Sequence, residues 1–206
     1  MEQNKNSTHI DALFTSHYQF VILYIHSSHK YSIWTLCFLL SFTCMGQHSK
    51  QNNDIIKEYG STYTVENPDF KTDLSQDFKA VFDVGRSFGA PAKVNPLINT
   101  AARFINMHYK AGVPLDKIKV ALVIHGDAAF DVLNNTAYQK KYHIKNPNTP
   151  LIQLLSEQGV KIILCGQTAA YRNITKQQTL PQVQFALSAM TALVQLQNTN
   201  FRLINF

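Results

Sequence analysis

The most reactive side chain in the C-terminal part of the chain is Cys165. It follows the apolar run 160–164 directly and precedes a short polar segment that reaches Arg172. Backbone N–H groups at the start of a helix stabilise a thiolate, and Gly166 would let the backbone turn close to the sulfur. The pattern therefore predicts a nucleophilic thiol. The alternative is a small apolar residue at the end of a strand, because unpaired cysteines are among the most buried side chains.

A second polar cluster, His125-Gly126-Asp127, follows the apolar run 118–124. His125 would accept or donate a proton beside a reactive thiol, and Arg172 would add a positive charge. The alternative is a histidine at the edge of the core, hydrogen-bonded to backbone. A metal site built from His125, Asp127 and Cys165 lacks the close ligand spacing of C-x-x-C or H-x-x-x-H, so no metal is predicted.

The overall composition excludes several classes of protein. The chain has 206 residues, of which 45% are hydrophobic, with only 8 Gly, 7 Pro and 3 Cys, which argues against collagen-like, low-complexity and disulfide-dense proteins. The sequence contains no G-x-G-x-x-G, Walker or G-x-S-x-G motif, so neither a nucleotide cofactor nor a serine nucleophile is predicted. The net charge of +6 comes from scattered residues with one doublet, Lys140-Lys141. This distribution predicts a solvated basic surface rather than a nucleic-acid partner.

Alternating strands and helices are expected to position these side chains. Strands are predicted over 79–84, 118–124, 160–164 and 201–206, with a short edge strand over 62–65. A helix is predicted from Asn95-Pro96 to Gly112, with Asn95 as its cap and Pro96 at its first position. Further helices are predicted weakly over 134–142, from Thr149-Pro150 to Gly159, and from Pro181 along the apolar stripe Val183, Ala186, Leu187, Met190, Leu193 and Val194. Phe104, Met107 and Phe185 are expected in the core.

This order of elements predicts an α/β fold with three α/β/α layers over residues 78–206. The sheet would be mostly parallel, with about five strands and helices on both faces. Ligands of such sheets bind at the carboxyl ends of the strands. Three polar strand ends would meet there: Asp83-Val84-Gly85, His125-Gly126-Asp127 and Cys165-Gly166-Gln167.

The first 46 residues are predicted to be an upstream extension and a signal peptide. Lys30 precedes an uncharged stretch with an apolar centre at 33–40 and small residues at its end, which is the pattern of a secretory signal. Cleavage after Gly46 would remove Cys37 and Cys44 and leave a polar lead-in over 47–77. The protein is therefore predicted to be exported, periplasmic or secreted, with no stable membrane span after cleavage. An uncleaved membrane anchor is the alternative.

Four segments together resemble the DsrE/DsrF-like family. They are the run Lys119-Val120-Ala121-Leu122-Val123-Ile124-His125-Gly126, then Asn146-Pro147-Asn148, Leu164-Cys165-Gly166-Gln167 and Ala186-Leu187-Ser188-Ala189-Met190-Thr191-Ala192-Leu193. The likeness extends over residues 78–206. Within that family, the sequence more specifically resembles an exported branch whose members carry a C-G-Q motif and an S-A-M-T-A-L helix.

The resemblance implies a parallel α/β/α fold, a homo-oligomer (a trimer or a multiple of it) and sulfur relay by a persulfide on a strand-end cysteine. Cys165 matches that cysteine and Arg172 matches the second arginine of the family's motif, whereas Tyr171 and Asn173 replace the first arginine and the glycine.

The predicted function is thus a small sulfur carrier or sulfurtransferase-like protein. Cys165, His125 and Arg172 would act at its site, and Gly126, Asp127, Gly166 and Gln167 would support them. Its sulfur donor and acceptor are left unidentified. The alternative is a non-catalytic oligomeric binding module with a structural Cys165.

Overall fold

The computed structural model of the chain describes residues 54–205. Five parallel strands form one sheet in the order β4-β3-β2-β1-β5. The strands are β1 (Phe78–Val84), β2 (Ile118–Ile124), β3 (Lys161–Cys165), β4 (Val183–Ala186) and β5 (Arg202–Ile204). The helices are α1 (Pro96–Lys110), α2 (Asn135–Tyr142), α3 (Thr149–Glu157), α4 (Gly166–Tyr171) and α5 (Ala189–Asn198), with 3-10 turns at Leu115–Lys117, Gly126–Val132 and Lys176–Gln178. The predicted signal segment lies outside the described residues.

Helices cover both faces of the sheet, which confirms the predicted three-layer α/β/α fold. Alternate residues of a strand point to opposite faces. Phe82 and Leu122 therefore pack with buried residues of α1 and α3 on one face, and Val81 packs with buried residues of α5 on the other. Residue by residue, β2 has one exposed position, Lys119, which is typical of a strand buried in a parallel sheet.

A buried amide network holds the loops that follow β1 and β2. Asn95 caps α1 by accepting a hydrogen bond from the N–H of Leu97 at 2.9 Å, as predicted. Its own N–H donates to Oδ1 of Asn148 at 2.7 Å, and its side-chain amide donates to Oδ2 of Asp131 at 2.7 Å. Burial raises the pKa of Asp131 to about 6, although the hydrogen bond from Asn95 opposes that rise.

The predicted helix from Pro181 is wrong over residues 181–188. Val183–Ala186 is strand β4, and Val183 pairs with Ile162 of β3 at the sheet edge. The helix begins only after Ser188, whose Oγ accepts the N–H of Thr191 at 3.0 Å and so caps α5. Pairing with β3 therefore makes residues 183–186 a strand, although their apolar residues continue the helical spacing of α5.

Three other expectations differ from the structure. No strand forms over 62–65, where the structure assigns no regular secondary structure. Met107 and Phe185 are 46% and 38% exposed and do not belong to the core, whereas Phe104 packs against it. The apolar stripe predicted for α5 is partly exposed, because the buried residues of this helix are Ala192 and Leu196, whereas Met190 and Val194 are exposed.

Every helix between residues 54 and 205 is too short or too polar to cross a bilayer.

The polar lead-in is anchored to α1 at its described start. Ile56 is buried, and the fully buried side chain of Asn106 accepts its N–H at 2.9 Å. The amide of Asn106 donates in turn to the carbonyl oxygens of Ile56, Tyr59 and Gly60 at 3.0–3.3 Å. An ion pair between Lys110 and Asp54 closes the same contact. Residues 54–60 are thus part of the domain, before the first strand.

Candidate functional site

Cys165 is both the last residue of β3 and the residue that caps α4. Its Sγ accepts the N–H of Thr168 at 3.4 Å, which is the hydrogen bond that an oxygen-bearing cap residue would make. The side chain is only 5% exposed. Cys165 therefore lies at the end of a strand, as predicted, and the polar segment after it forms the short helix α4. The residue is nearly buried.

Hydrogen bonds favour the thiolate of Cys165. Burial alone would raise the pKa of the thiol. Hydrogen bonds from the Thr168 hydroxyl and from the N–H groups of Thr168, Ala189 and Gln167 outweigh it, so the pKa lies below its ordinary value. The sequence predicted that the backbone turns close to the sulfur. It did not predict two of the donors, the Thr168 hydroxyl and the N–H of Ala189 at the start of α5.

Gly166 allows α4 to lie against the end of β4. A Cβ on Gly166 would lie 2.5 Å from the carbonyl oxygen of Ala186, closer than any real contact. Gln167 extends the same junction, because its Nε2 donates to the carbonyl oxygen of Leu187 at 3.4 Å. The glycine is therefore required by the backbone of a neighbouring strand, in addition to its predicted role beside the sulfur.

His125 is paired with a carboxylate of the adjacent strand. Its Nε2 lies 2.7 Å from Oδ1 of Asp83, and both side chains are about one-third exposed or less. The imidazole also packs over Gly85, where a Cβ would lie 2.9 Å from Cε1. Asp83 was expected at this edge of the sheet, but nothing in the sequence marked it as the partner of His125.

Thr168 joins the two strand ends. The N–H of Gly126, next to His125, donates to Oγ1 of Thr168 at 3.4 Å, while the hydroxyl and the N–H of Thr168 serve the sulfur of Cys165. Gly126 itself has φ +55, and a Cβ there would lie 2.5 Å from the carbonyl oxygen of Gly85. The ends of β1, β2 and β3 are therefore connected by specific contacts.

Arg172 is engaged by Asp127 rather than by the sulfur. Its Nη2 donates to Oδ1 of Asp127 at 2.6 Å, and its guanidinium stacks over the ring of Phe130 at 5.0 Å. The structure thus brings all the sequence-predicted site residues to one edge of the sheet. It divides them into a thiol with its donors, a histidine–aspartate pair and an arginine–aspartate pair.

Exposed apolar side chains occur on the segments that precede and follow the contacts of Cys165. Tyr171, Leu187, Met190 and Val194 are 85%, 73%, 75% and 57% exposed, and they stand on the segments that flank Cys165. Apolar residues grouped on a surface commonly mark an interface. Within residues 54–205, no three His, Cys, Asp or Glu side chains group closely enough to hold a metal ion.

The chain has recognisable relatives. A model of the DsrE/DsrF-like family matches residues 79–206. Similar solved structures include the protein of unknown function MTH1491 from Methanobacterium thermoautotrophicum, at 15% identity and a TM-score of 0.47 over 63% of this chain and 100% of that chain. They also include the ychN protein from E. coli, at 20% identity and a TM-score of 0.46 over 63% and 99%. No curated protein sequence matches the chain.

Proposed function

The chain belongs to the DsrE/DsrF-like family, a family of the sulfur-relay type, and from that premise we propose that it carries sulfur as a persulfide on Cys165. One observation carries the proposal. Cys165 Sγ accepts the N–H of Thr168 at 3.4 Å where β3 ends and α4 begins, and hydrogen bonding holds the pKa of the thiol below its ordinary value against the effect of burial. Donors held against a nearly buried sulfur lower the free-energy cost of forming the thiolate, which is the nucleophilic form.

The reaction is a transfer of one sulfur atom between thiols. The Cys165 thiolate attacks the outer sulfur of a donor persulfide, R–S–SH; the new S–S bond forms as the donor's S–S bond breaks, and the donor leaves as the thiolate R–S⁻. Delivery is the same step in reverse direction, with an acceptor thiolate attacking the outer sulfur on Cys165. Neither step requires an oxidant, because one S–S bond replaces another and the transferred sulfur keeps the oxidation level that it has in a persulfide.

The remaining site groups have roles that follow from their positions. The N–H and hydroxyl donors that hold the thiolate also stabilise Cys165 as the leaving group during delivery. The pair of His125 and Asp83 can give a proton to the departing donor thiolate. Arg172 remains paired with Asp127 at the rim, where it offers a positive charge to an anionic donor.

Export and assembly complete the proposal. The N-terminal pattern supports a protein that works outside the cytoplasm. The exposed apolar residues beside Cys165 support a homo-oligomer, a trimer or a multiple of it, whose contacts flank the thiol.

A non-catalytic binding module is the second candidate function. The specific observation in its favour is the 5% exposure of Cys165, which suits an inert thiol. Reactivity of the folded protein distinguishes the two functions. A carrier thiol reacts while the protein is native, and a structural thiol reacts only after unfolding.

The experiment uses the full chain with Cys37→Ser and Cys44→Ser, so that Cys165 is the single thiol. Incubation with glutathione persulfide should add the mass of one sulfur atom, and glutathione thiol should then remove it. The variant that also carries Cys165→Ser should gain nothing while it unfolds at the same temperature. If the native protein neither gains sulfur nor reacts with iodoacetamide at mildly alkaline pH, the carrier function is wrong.

A further inference from the structure

A cleft of about 640 Å³ opens on the α1 side of the sheet, away from the thiol. Its apolar surface comes from β1, α1 and β5, through Phe82, Leu97, Phe104, Met107 and Ile204. β1 lies two positions from β3 in the sheet, so the cleft is separate from the Cys165 site. Its volume is within the range of small-molecule sites, roughly 300–1,000 Å³.

Positive charge borders this apolar surface. Arg86 and Arg103 are both exposed and both line the cleft, whereas none of the described residues that line it is Asp or Glu. His108 lines it too, but burial lowers the pKa of that imidazole even though its hydrogen bond to the Phe104 carbonyl opposes the effect. At neutral pH the charge of the cleft therefore comes from the two arginines.

We propose that this cleft binds an amphiphile with an alkyl tail and a single carboxylate, of the fatty-acid class. The tail would lie on Leu97, Phe104 and Met107, where it displaces water from apolar surface. The carboxylate would accept hydrogen bonds from the guanidinium groups at the rim, whose planar donors match its two oxygens. A neutral or cationic amphiphile of the same length gains only the first contribution. The proposal does not depend on the chemistry of Cys165.

Isothermal titration of the full chain with laurate tests it, with lauryl alcohol and a dodecyl ammonium salt as matched probes. Laurate should bind with a stoichiometry of one per chain, and more tightly than either probe. Arg103→Gln should weaken laurate binding about three- to fivefold, because one exposed ion pair contributes little more. Arg202→Gln removes an exposed arginine of β5 that does not line the cleft, and should leave binding unchanged.

A second variant tests the location without touching charge. Met107→Trp places a larger side chain at a position already 46% exposed, so the fold should persist while the cleft narrows and laurate binding falls at least tenfold. Cys165→Ser should bind laurate as the parent does. Equal binding of the three probes overturns the proposal, as does laurate binding that neither variant weakens. If laurate does not bind and Met107→Trp instead changes the sedimentation coefficient, a second copy of the chain occupies the cleft and the proposal is wrong.

Discussion

Replacing Thr168 by Val should make Cys165 a weaker nucleophile. The valine keeps the shape of the side chain but removes the hydroxyl that donates to the sulfur. A hydrogen bond to a charged group contributes about 1.5–3 kcal/mol, and a sulfur that is 5% exposed has little water to replace it. The pKa of Cys165 should therefore rise in this variant.

The rate of iodoacetamide alkylation against pH measures this change directly. With Cys37 and Cys44 replaced by Ser, the midpoint of the profile reports Cys165, and alkylation at neutral pH should slow about tenfold in Thr168→Val. Thr168→Ser retains the hydroxyl and should keep the parental midpoint. A profile that is identical in the Val and Ser variants would refute the argument that the hydroxyl holds the thiolate.

Three further changes test other parts of the site and its support. Burial raises the pKa of Asp131 to about 6 in the folded protein, so Asp131 lowers stability progressively as the pH rises from about 4 to about 6. Asp131→Asn should therefore add about 1–3 kcal/mol to the free energy of urea unfolding at about pH 7, and nothing below about pH 4. His125→Gln and Asp83→Asn should each change the pH dependence of sulfur loading, measured by mass spectrometry, and similar changes in both would show that the two residues act as a pair. Gly166→Ala should lower the free energy of unfolding by about 1–3 kcal/mol, measured by thermal melting, because its Cβ would meet the carbonyl oxygen of Ala186.

The parallel sheet was predictable because its central strands are long apolar runs and its helices begin with clear caps. β2 matches its predicted bounds at both ends, and α1 begins at Pro96 after the predicted cap Asn95. Strand β4 was not predictable in the same way. Four residues of β4 carry too little periodicity to compete with an apolar stripe that continues into α5, and only the pairing with β3 decides between them.

The site was predictable at the level of which strand ends meet, but not at the level of partners. The topology rule brings Asp83, His125 and Cys165 to one edge of the sheet. Which acid pairs with which base depends on rotamers and on the heights at which the strands end. For that reason the sequence did not predict the pairing of Arg172 with Asp127, or the hydrogen bond from Thr168 to the sulfur of Cys165.

The clamp of Asn106 on residues 54–60 determines how the domain bears mechanical load. A pull on the chain from residue 53 reaches α1 first, through the Asn106 amide and the ion pair of Lys110 with Asp54. The mostly exposed residues 61–77 lie between these contacts and β1, so they carry little of the pull while the contacts hold. A tether at the N-terminal side would therefore strain a helix and its polar contacts. Strand β1 would receive the pull directly along the chain only after those contacts had broken.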